Sequence, residues 1–352
     1  MSKKILFVGH TMDRGGASHV LSIIANKLSE KGWEAELAFL RVRNAYDISE
    51  KVKLTALCLP EEKVNFYKAY DKLKTLYKNT EADVIVSFLL PINLITLLAT
   101  IRLKKKIIIS ERNDPKKAGG RLLFLLSKIL YPIADFCVFQ TKRIQNYYSR
   151  KCIAKSSIIL NPMETATFPQ KMDYGQKSFV AVGKLWPQKN HLLLIDAFHQ
   201  FSQNHAGYTL KIFGEGPLRD VITSRIEQLG LTGKVFLMGN QPDVIRKIVD
   251  EGVFILSSDY EGLSNALMEA MCVGMPCIST KCAGADEIIT DGINGILVDV
   301  GSKAQLVKAM EYMSFFPEEK KRIGTEALKY REICASDTVI EEWLKVIEKV
   351  VN

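Results

Sequence analysis

The sequence predicts an α/β protein of two domains, each with a doubly wound parallel sheet, and three observations support this. Short apolar runs rich in β-branched residues alternate with amphipathic segments along the whole chain, which is typical of parallel α/β sheets. A chain of 352 residues is long for one domain and comfortable for two. The halves also differ in charge, because residues 1–160 carry a net +14 and residues 161–352 a net −5. Opposite charges indicate domains with different partners.

The first half contains one stretch that a hydropathy profile could mistake for a membrane span. Residues 84–101 are mostly apolar and of suitable length, but Ser87, Pro91 and Asn93 lie within them. We therefore predict a buried strand at 84–88 and a buried helix from residue 92. The other predicted elements of this half are strands at 5–8, 34–40, 107–110, 136–140 and 157–160, and a helix at 17–31.

A polar, turn-rich stretch at 161–177 separates the halves and is the predicted linker. We expect a first domain at 1–165, a second at 166–330, and a C-terminal segment at 331–352 that packs back towards the first domain. In the second half, strands are predicted at 178–182, 209–213, 235–237, 253–256, 277–279 and 295–298, and helices at 190–204, 217–229, 242–250, 264–274 and 317–351.

Composition excludes several protein classes. Hydrophobic residues make up 47% and charged residues 25% of the chain, as in soluble globular proteins. The seven cysteines form no C-x-x-C pair, which argues against a disulfide framework or a zinc site and favours a reducing compartment. The N-terminal apolar run is too short for a signal peptide, so we expect a cytoplasmic protein. No nucleic-acid-binding motif accompanies the net charge of +9, and no nucleic-acid partner is expected.

Glycines and lysines follow several predicted strands. Gly15 and Gly16 come after the first strand and open a helix, where backbone N–H groups are available to an anion or a sugar. A plain tight turn is the ordinary alternative, and the spacing is not the G-x-G-x-x-G of dinucleotide-binding domains. Lys184 and Lys189 follow the strand at 178–182, where a doubly wound sheet binds its ligand, and ammonium groups there suit a diphosphate. A solvated basic loop is the alternative for this pair.

The next two strands of the second half end in glycine as well. Gly214 and Gly216 follow the strand at 209–213, and Gly239 with Asn240 follows the strand at 235–237. Glycine lets the backbone approach a ligand closely. Small or charged residues at four strand ends of one domain are harder to explain by solvation than any single motif.

Glu261 and Glu269, separated by seven residues, form the most informative pair in the chain. Glu269 lies between Met268 and Ala270 in an apolar stretch, where a carboxylate is costly unless something donates hydrogen bonds to it. A solvent-facing glutamate on an amphipathic helix is the alternative. The sequence lacks a P-loop, a G-x-S-x-G elbow and a D-x-D metal clamp, and its five histidines show no ligand spacing.

In their order along the chain, these motifs resemble those of retaining glycosyltransferases of the GT-B fold, specifically family 4. The resemblance covers nearly the whole length and implies two Rossmann-like domains facing a cleft. Its parts are Gly15-Gly16-Ala17, Asn161-Pro162, VGKLWPQKN at 182–190, FGEGPLR at 213–219, FLMGN at 236–240 and EGLSNALMEAMCVGMPCI at 261–278.

The resemblance implies a nucleotide-sugar donor, expected to be UDP-linked, and no metal or other cofactor. Lys184, which replaces the family's usual Arg, and Lys189 would neutralise the diphosphate. Glu261 would face the transferred sugar and Glu269 the ribose hydroxyls. The remaining donor-binding positions are backbone N–H groups of Gly262, Leu263, Ser264 and Asn265, base-bordering residues Gly214, Gly216, Gly239 and Asn240, and Gly15 and Gly16 approaching from the first domain.

The chain departs from the family at the end of a middle strand of the first domain. Many members carry a histidine there, whereas this chain has Glu111, Arg112 and Asn113. Arg112 cannot act as a base. Our prediction is that Arg112 contacts a phosphate or a sugar hydroxyl, and a salt bridge with Glu111 or Asp114 is the alternative.

Two segments of the first half, 63–78 and 116–131, mix basic and apolar residues. A basic amphipathic helix can lie on an anionic bilayer, although an ordinary core-facing helix with a solvated basic face is the alternative for each. Similar bacterial enzymes extend polyprenyl-diphosphate-linked glycans. We therefore expect a lipid-linked or oligosaccharide acceptor and peripheral contact with the cytoplasmic face of the membrane. The competing hypotheses are an epimerase or phosphorylase of the same architecture, and a non-catalytic sugar-nucleotide-binding subunit.

Overall fold

The computed structural model describes residues 3–13, 15–43, 46–282 and 284–352. The chain divides into two compact units: the first comprises Met1–Glu164 together with Ala335–Asn352, and the second comprises Thr165–Cys334. The predicted boundary at 165/166 lies one residue from this division. The predicted C-terminal segment begins at residue 331, four residues before the chain rejoins the first unit.

The first unit contains a seven-stranded sheet in the order β3-β2-β1-β4-β5-β6-β7, with every pairing parallel. Because the strand order reverses direction at β1, connections run over both faces, as in doubly wound folds. The strands are β1 Lys4–Met12, β2 Glu34–Val42, β3 Lys53–Ala56, β4 Val84–Phe88, β5 Lys106–Glu111, β6 Phe136–Phe139 and β7 Ser156–Ile158.

Helices cover both faces of this sheet. Apolar residues of α1 and α16 pack on one face, where Trp343 stacks on Phe88 with ring centroids 5.9 Å apart, and residues of α2 and α3 pack on the other. The helices of the unit are α1 Gly16–Glu30, α2 Phe66–Asn79, α3 Leu90–Thr100, α4 Pro115–Ala118, α5 Gly120–Leu130, α6 Lys142–Gln145, α7 Arg150–Ile153 and α16 Ser336–Val351.

One strand of this sheet, β3, has no counterpart among the predicted elements. It lies at the sheet edge, and Lys53, Leu54 and Ala56 are exposed. Hydrophobic alternation marks a strand only when one of its faces is buried, so β3 left no such pattern. By contrast, β4 is buried along its whole length, which explains its continuous apolar run.

The second unit repeats the plan with a six-stranded parallel sheet in the order β10-β9-β8-β11-β12-β13. Its strands are β8 Ser178–Val182, β9 Thr209–Phe213, β10 Val235–Gly239, β11 Val253–Leu256, β12 Cys277–Thr280 and β13 Ile296–Val298. Its helices are α8 His191–Ser202, α9 Arg219–Gln228, α10 Val244–Ile248, α11 Asn265–Cys272, α12 Ala285–Ile288, α13 Lys303–Phe315, α14 Pro317–Ala327 and α15 Tyr330–Ile333.

The core of the second unit also lies between sheet and helices. Residues of α8, α9 and α13 bury one face of the sheet, while α11 contacts β11 and β12. No helix was predicted at α13, whose Leu306, Met310 and Met313 are fully buried. In both units the carboxyl ends of all parallel strands meet at one edge, which is where such sheets bind ligands.

Candidate functional site

The predicted donor-binding residues of the second half follow four neighbouring strands. Lys184 follows β8, Gly214 follows β9, Gly239 ends β10, and Glu261 lies five residues after β11. Because these strands are parallel and adjacent, their carboxyl ends lie at the same edge of the sheet. The structure therefore brings to one edge the residues that the sequence singled out separately.

The glycines at this edge allow neighbouring loops to pack closely. At Gly214, which has φ +138°, a Cβ atom would lie 2.0 Å from the carbonyl oxygen of Gly183, and its N–H donates to Gly239 O at 2.9 Å. A Cβ at Gly216 would lie 2.6 Å from Leu185 O. No side chain fits at either position, so these glycines are required by loop packing. Their predicted place beside the base stays a prediction.

The loop after β8 is anchored by one buried residue. Leu185 is fully buried, its N–H donates to Glu215 O at 2.9 Å, and its carbonyl accepts from Leu218 N at 3.1 Å. On either side Lys184 and Trp186 are exposed, and the Lys184 ammonium lies 5.8 Å from the Trp186 ring centroid. The anchor holds Lys184 at the surface of the sheet edge, where it can meet an anion.

Lys189 is paired with Glu261. The ammonium nitrogen lies 2.5 Å from Oε1 of Glu261, which also accepts from Ser258 Oγ at 2.8 Å, while Oε2 accepts from Gln188 Nε2 at 3.2 Å. Glu261 is only 8% exposed. The carboxylate is therefore fixed in orientation by a cation, a hydroxyl and an amide. Gln188 and Ser258 were not predicted as site residues, because their hydrogen bonds to Glu261 correspond to no recognisable spacing in the sequence.

The turn before α11 contains an unpaired hydroxyl. Ser264 is the residue before the helix, its side chain makes no capping hydrogen bond, and its Oγ is buried without a partner in the described part of the chain. Leu263 and Gly262 are also buried. The first N–H groups of a helix lack partners within the helix, and the Ser264 hydroxyl of this turn is available to a ligand oxygen.

Glu269 lies on α11 and is half-buried. Within the residues that the structure describes, its carboxylate makes no hydrogen bond or ion pair. Burial raises its pKa from an ordinary 4.5 to about 7. A carboxylate in this setting gains from any ligand that donates hydrogen bonds to it, which supports a functional interpretation over that of a solvent-facing glutamate.

Arg112, in the first unit, is enclosed by the protein's own groups. Its Nε donates to Ser110 Oγ at 2.8 Å and its Nη1 to Ile159 O and Asn161 Oδ1, both at 3.1 Å. The guanidinium lies 5.4 Å from the Trp343 ring centroid, and burial lowers its pKa to about 9. These contacts replace the salt bridge with Glu111 or Asp114 that was the alternative. They hold the guanidinium in place but leave its Nη2 without a partner among the described residues, and contact with substrate stays a prediction.

Gly15 and Gly16 begin α1 in the first unit. Gly15 is extended, with φ −111° and ψ 158°, and no side chain caps the helix. Gly16 is exposed. The uncapped N–H groups can bind an anion, and the predicted approach of these glycines to the donor stays a prediction.

The two basic segments of the first unit differ in where their apolar residues point. In α2, Ala69, Leu73 and Tyr77 are buried, so this helix has an ordinary core-facing side. In α5 only Ser127 is buried, and four large apolar residues spaced i, i+3, i+4, i+7 are exposed by 38–70%. These are Leu122, Leu125, Leu126 and Ile129, which we call the α5 stripe.

The described residues contain no group of three or more His, Cys, Asp or Glu placed to hold a metal ion. Among the helices of the described ranges, none combines the length and hydrophobicity needed to cross a bilayer. The expectation that no metal is needed stays a prediction.

Comparison with known proteins supports the fold class. Residues 163–330, which span most of the second unit, match the family model described as glycosyl transferases group 1. Among solved structures, Anabaena Alr3699/HepE in complex with UDP has a TM-score of 0.81 at 16% identity, covering 98% of this chain and 100% of that one. The lipopolysaccharide outer core galactosyltransferase WaaB has a TM-score of 0.76 at 21% identity, with coverages of 98% and 99%. The predicted GT-B fold class is confirmed.

Two curated relatives extend the similarity over most of the chain. One is the GalNAc-α-(1→4)-GalNAc-α-(1→3)-diNAcBac-PP-undecaprenol α-1,4-N-acetyl-D-galactosaminyltransferase of Campylobacter jejuni, 26% identical over 99% of both chains. The other, from the same organism, is N-acetylgalactosamine-N,N′-diacetylbacillosaminyl-diphospho-undecaprenol 4-α-N-acetylgalactosaminyltransferase. It is 28% identical over 89% of this chain and 90% of the relative.

Proposed function

We propose that this chain is a retaining glycosyltransferase of family 4. It moves a hexose or an N-acetylhexosamine from a UDP-sugar to a polyprenyl-diphosphate-linked glycan. The convergence of Lys184, the Lys189–Glu261 pair and the start of α11 at one sheet edge carries this proposal. Cations, a fixed carboxylate and helix N–H groups are the tools that a sugar diphosphate requires.

Each group has a distinct role in donor binding. Lys184 and Lys189 neutralise the diphosphate, and the N–H groups of the turn at 262–265 add to its binding. Because an ammonium group has three N–H donors, Lys189 can hold Glu261 and a phosphate oxygen together. This sharing sets the Glu261 carboxylate beside the diphosphate, where the hydroxyls of the transferred sugar lie. Glu269 accepts hydrogen bonds from the ribose.

The chemistry follows from the charges that develop. Cleavage of the anomeric bond leaves an oxocarbenium-like sugar and a diphosphate that gains negative charge. Lys184 and Lys189 stabilise that charge in place, without a metal. The leaving phosphate oxygen takes the proton of the acceptor hydroxyl, which attacks the same face of the sugar. The configuration is therefore retained, and no nucleophile from the protein is needed.

The α5 stripe supports a membrane-bound acceptor. Lys116, Lys117, Arg121 and Lys128 flank it, and residues 115–134 contain no Asp or Glu. Exposed leucine and isoleucine side chains bordered by cations suit the surface of an anionic bilayer. The two curated relatives act on undecaprenol-linked glycans by their names. We propose that this protein works at the cytoplasmic face of the membrane as a peripheral protein.

Product analysis tests the reaction. The purified protein is incubated with UDP-glucose, UDP-galactose, UDP-GlcNAc or UDP-GalNAc and a short polyprenyl-diphosphate glycan, with and without EDTA. We expect one donor to add a sugar whose anomeric configuration by NMR matches the donor, with equal rates in EDTA. An inverted product would contradict retention, and loss of activity in EDTA would contradict metal independence.

The same assay separates the competing classes. An epimerase would convert the donor without an acceptor, and a phosphorylase would need inorganic phosphate. A non-catalytic subunit would bind UDP and transfer nothing. Any of these results would replace the proposed function.

A further inference from the structure

His191, the first residue of α8, is a buried polar group without a partner. It is 4% exposed, and neither ring nitrogen has a hydrogen bond within the described residues. Leaving a buried donor unpaired destabilises the folded state, and such groups in folded proteins call for a specific explanation. In the sequence, His191 directly follows Lys189 and Asn190, and this position is the one feature that could have drawn attention to it.

The ring is neutral at physiological pH. Burial, aided by the charge of Lys189, lowers the pKa of His191 to about 4. A neutral imidazole carries one N–H donor and one acceptor nitrogen. The backbone of Lys184 and Gly183 lies beside the ring and favours its protonated form, but no contact between them has hydrogen-bond geometry.

The residues next to His191 in the chain are held in place by hydrogen bonds. Asn190 adopts φ +46°, bonds Asp259 Oδ1 at 2.8 Å and caps α8 through Leu193 N at 3.3 Å. The carbonyl of Lys189 accepts from Ser257 Oγ at 2.9 Å. The unpaired group therefore lies between a fixed helix start and the peptides that carry Lys184.

We propose that His191 is a positioning residue whose N–H holds the Gly183–Lys184 backbone when the nucleotide diphosphate engages Lys184. This inference rests on the proposed function. A small movement of the loop towards the diphosphate would bring a backbone carbonyl into hydrogen-bond range of the ring. Donor binding would thus supply the partner that the ring lacks, and the histidine would stabilise the bound position of Lys184.

Substitution by residues without a donor tests this role. His191→Phe keeps a ring of similar shape and removes the N–H. His205→Phe is the control, since the Nε2 of His205 is also unpartnered but the residue lies beyond the last residue of α8, Ser202. Binding of UDP is measured by calorimetry, stability by thermal unfolding, and donor KM and kcat by the transfer assay.

We expect His191→Phe to raise the Kd for UDP and the donor KM by about five- to tenfold, the worth of one hydrogen bond. We expect the melting temperature to stay the same or rise, because an unpaired polar group is removed. His205→Phe should leave UDP affinity unchanged. Amide variants add a conservative rescue: His191→Asn places N–H groups near the Nδ1 position and His191→Gln near Nε2, and one of them should restore most of the affinity.

UDP affinity equal to wild type in His191→Phe would overturn the inference and leave the proposed function standing. Should the phenylalanine lower the melting temperature by overpacking, His191→Leu, which is smaller and also lacks a donor, decides by the same comparison. Failure of the wild-type protein to bind UDP would overturn the proposed function and this inference together.

Discussion

Glu261 and Glu269 lie in different settings, although the sequence presents them as one pair. Glu261 is held by Lys189, Gln188 and Ser258, whereas the carboxylate of Glu269 has no such partner in the described part of the chain. Because the Glu261 carboxylate is held in one orientation, it is suited to a role in turnover. The unsatisfied one suits ligand binding, because it gains most from new hydrogen bonds.

Donor affinity should depend on pH through Glu269. Its pKa of about 7 lies above the ordinary 4.5, so the ionised form that accepts ribose hydrogen bonds is lost below pH 7. We expect the Kd for a UDP-sugar, whose phosphates do not titrate in this range, to rise about tenfold in total from pH 8 to pH 6. Calorimetry at stepped pH checks this.

Glu269→Gln should weaken donor binding about tenfold or more at pH 8, the value of hydrogen bonds to a charged group, and flatten the pH dependence.

The raised pKa of Glu269 means that ionisation of its carboxyl destabilises the folded state as pH rises from 4.5 through 7. The variant should therefore gain melting temperature over wild type at pH 8 and none at pH 4. Glu318→Gln, an exposed change on α14, is the control, and an unaltered pH profile in Glu269→Gln would refute this role.

Glu261→Gln should mainly lower turnover. We expect kcat to fall by about 10²–10³, while affinity for UDP stays the same or improves, because Lys189 loses its carboxylate partner. Glu251→Gln is the matched control, since it also breaks a Lys–Glu pair. Glu251 pairs with Lys211 at 2.6 Å, but it precedes β11, whereas Glu261 follows this strand. Equal small effects on kcat from both variants would contradict the assignment.

At the scale of elements, the loops after β8, β9 and β10 form one packed unit. Gly214 bonds Gly239, and Leu185 bonds both Glu215 and Leu218. A change in the conformation of one of these loops is therefore transmitted to the others and to Lys184. The strand ends thus act as a rigid support for Lys184, which we propose to bind the diphosphate.

Gly214→Ala tests this support. Its Cβ would overlap Gly183 O, and the residue would keep φ +138°. We expect a loss of stability of about 1–3 kcal/mol from backbone strain alone, added repulsion, and donor affinity reduced at least tenfold. Gly207→Ala is the control, because its φ is +82° with nothing within 4 Å of the new Cβ. It should lose some melting temperature and no UDP affinity, and the same outcome for Gly214→Ala would contradict the role of loop packing.

At the scale of the whole molecule, the charge of the chain is divided between its halves. The basic half carries the α5 stripe, and the acidic half carries the proposed donor site. This division favours an anionic surface or acceptor as the partner of the first unit. Both α2 and α5 contribute cations. The α5 stripe exposes apolar residues along the helix, whereas α2 exposes Phe66 and Tyr67 at its first turn only.

Vesicle sedimentation distinguishes these two helices. Arg121→Gln with Lys128→Gln on α5 should weaken binding to phosphatidylglycerol vesicles about tenfold or more, at roughly 1 kcal/mol per charge. The charge-matched pair Lys72→Gln with Lys78→Gln on α2 should change binding less than twofold. Leu122→Gln with Ile129→Gln should weaken binding even at low salt. Equal binding of wild type to neutral and anionic vesicles would refute an electrostatic contact.

Local sequence patterns predicted the two α/β units, most strand positions and the residues at the strand ends. Periodicity and turn chemistry are local, and parallel strands bring their carboxyl ends to one edge whatever the details of packing. The glycine at Gly214 and the pair Glu261 and Glu269 were therefore visible from their spacing. The edge strand β3 was not, because exposed residues carry no hydrophobic pattern.

The contacts of each side chain could not be predicted from sequence patterns and became apparent only from the three-dimensional packing. It turned Arg112 towards Trp343 and Asn161, paired Lys189 with Glu261, and left His191 buried without a partner. It also placed Ala69, Leu73 and Tyr77 of α2 in the core and the α5 stripe on the surface. These outcomes depend on neighbours distant in sequence, and a helix with the same periodicity can bury either side. Local pattern therefore predicts the elements, and packing assigns their faces and partners.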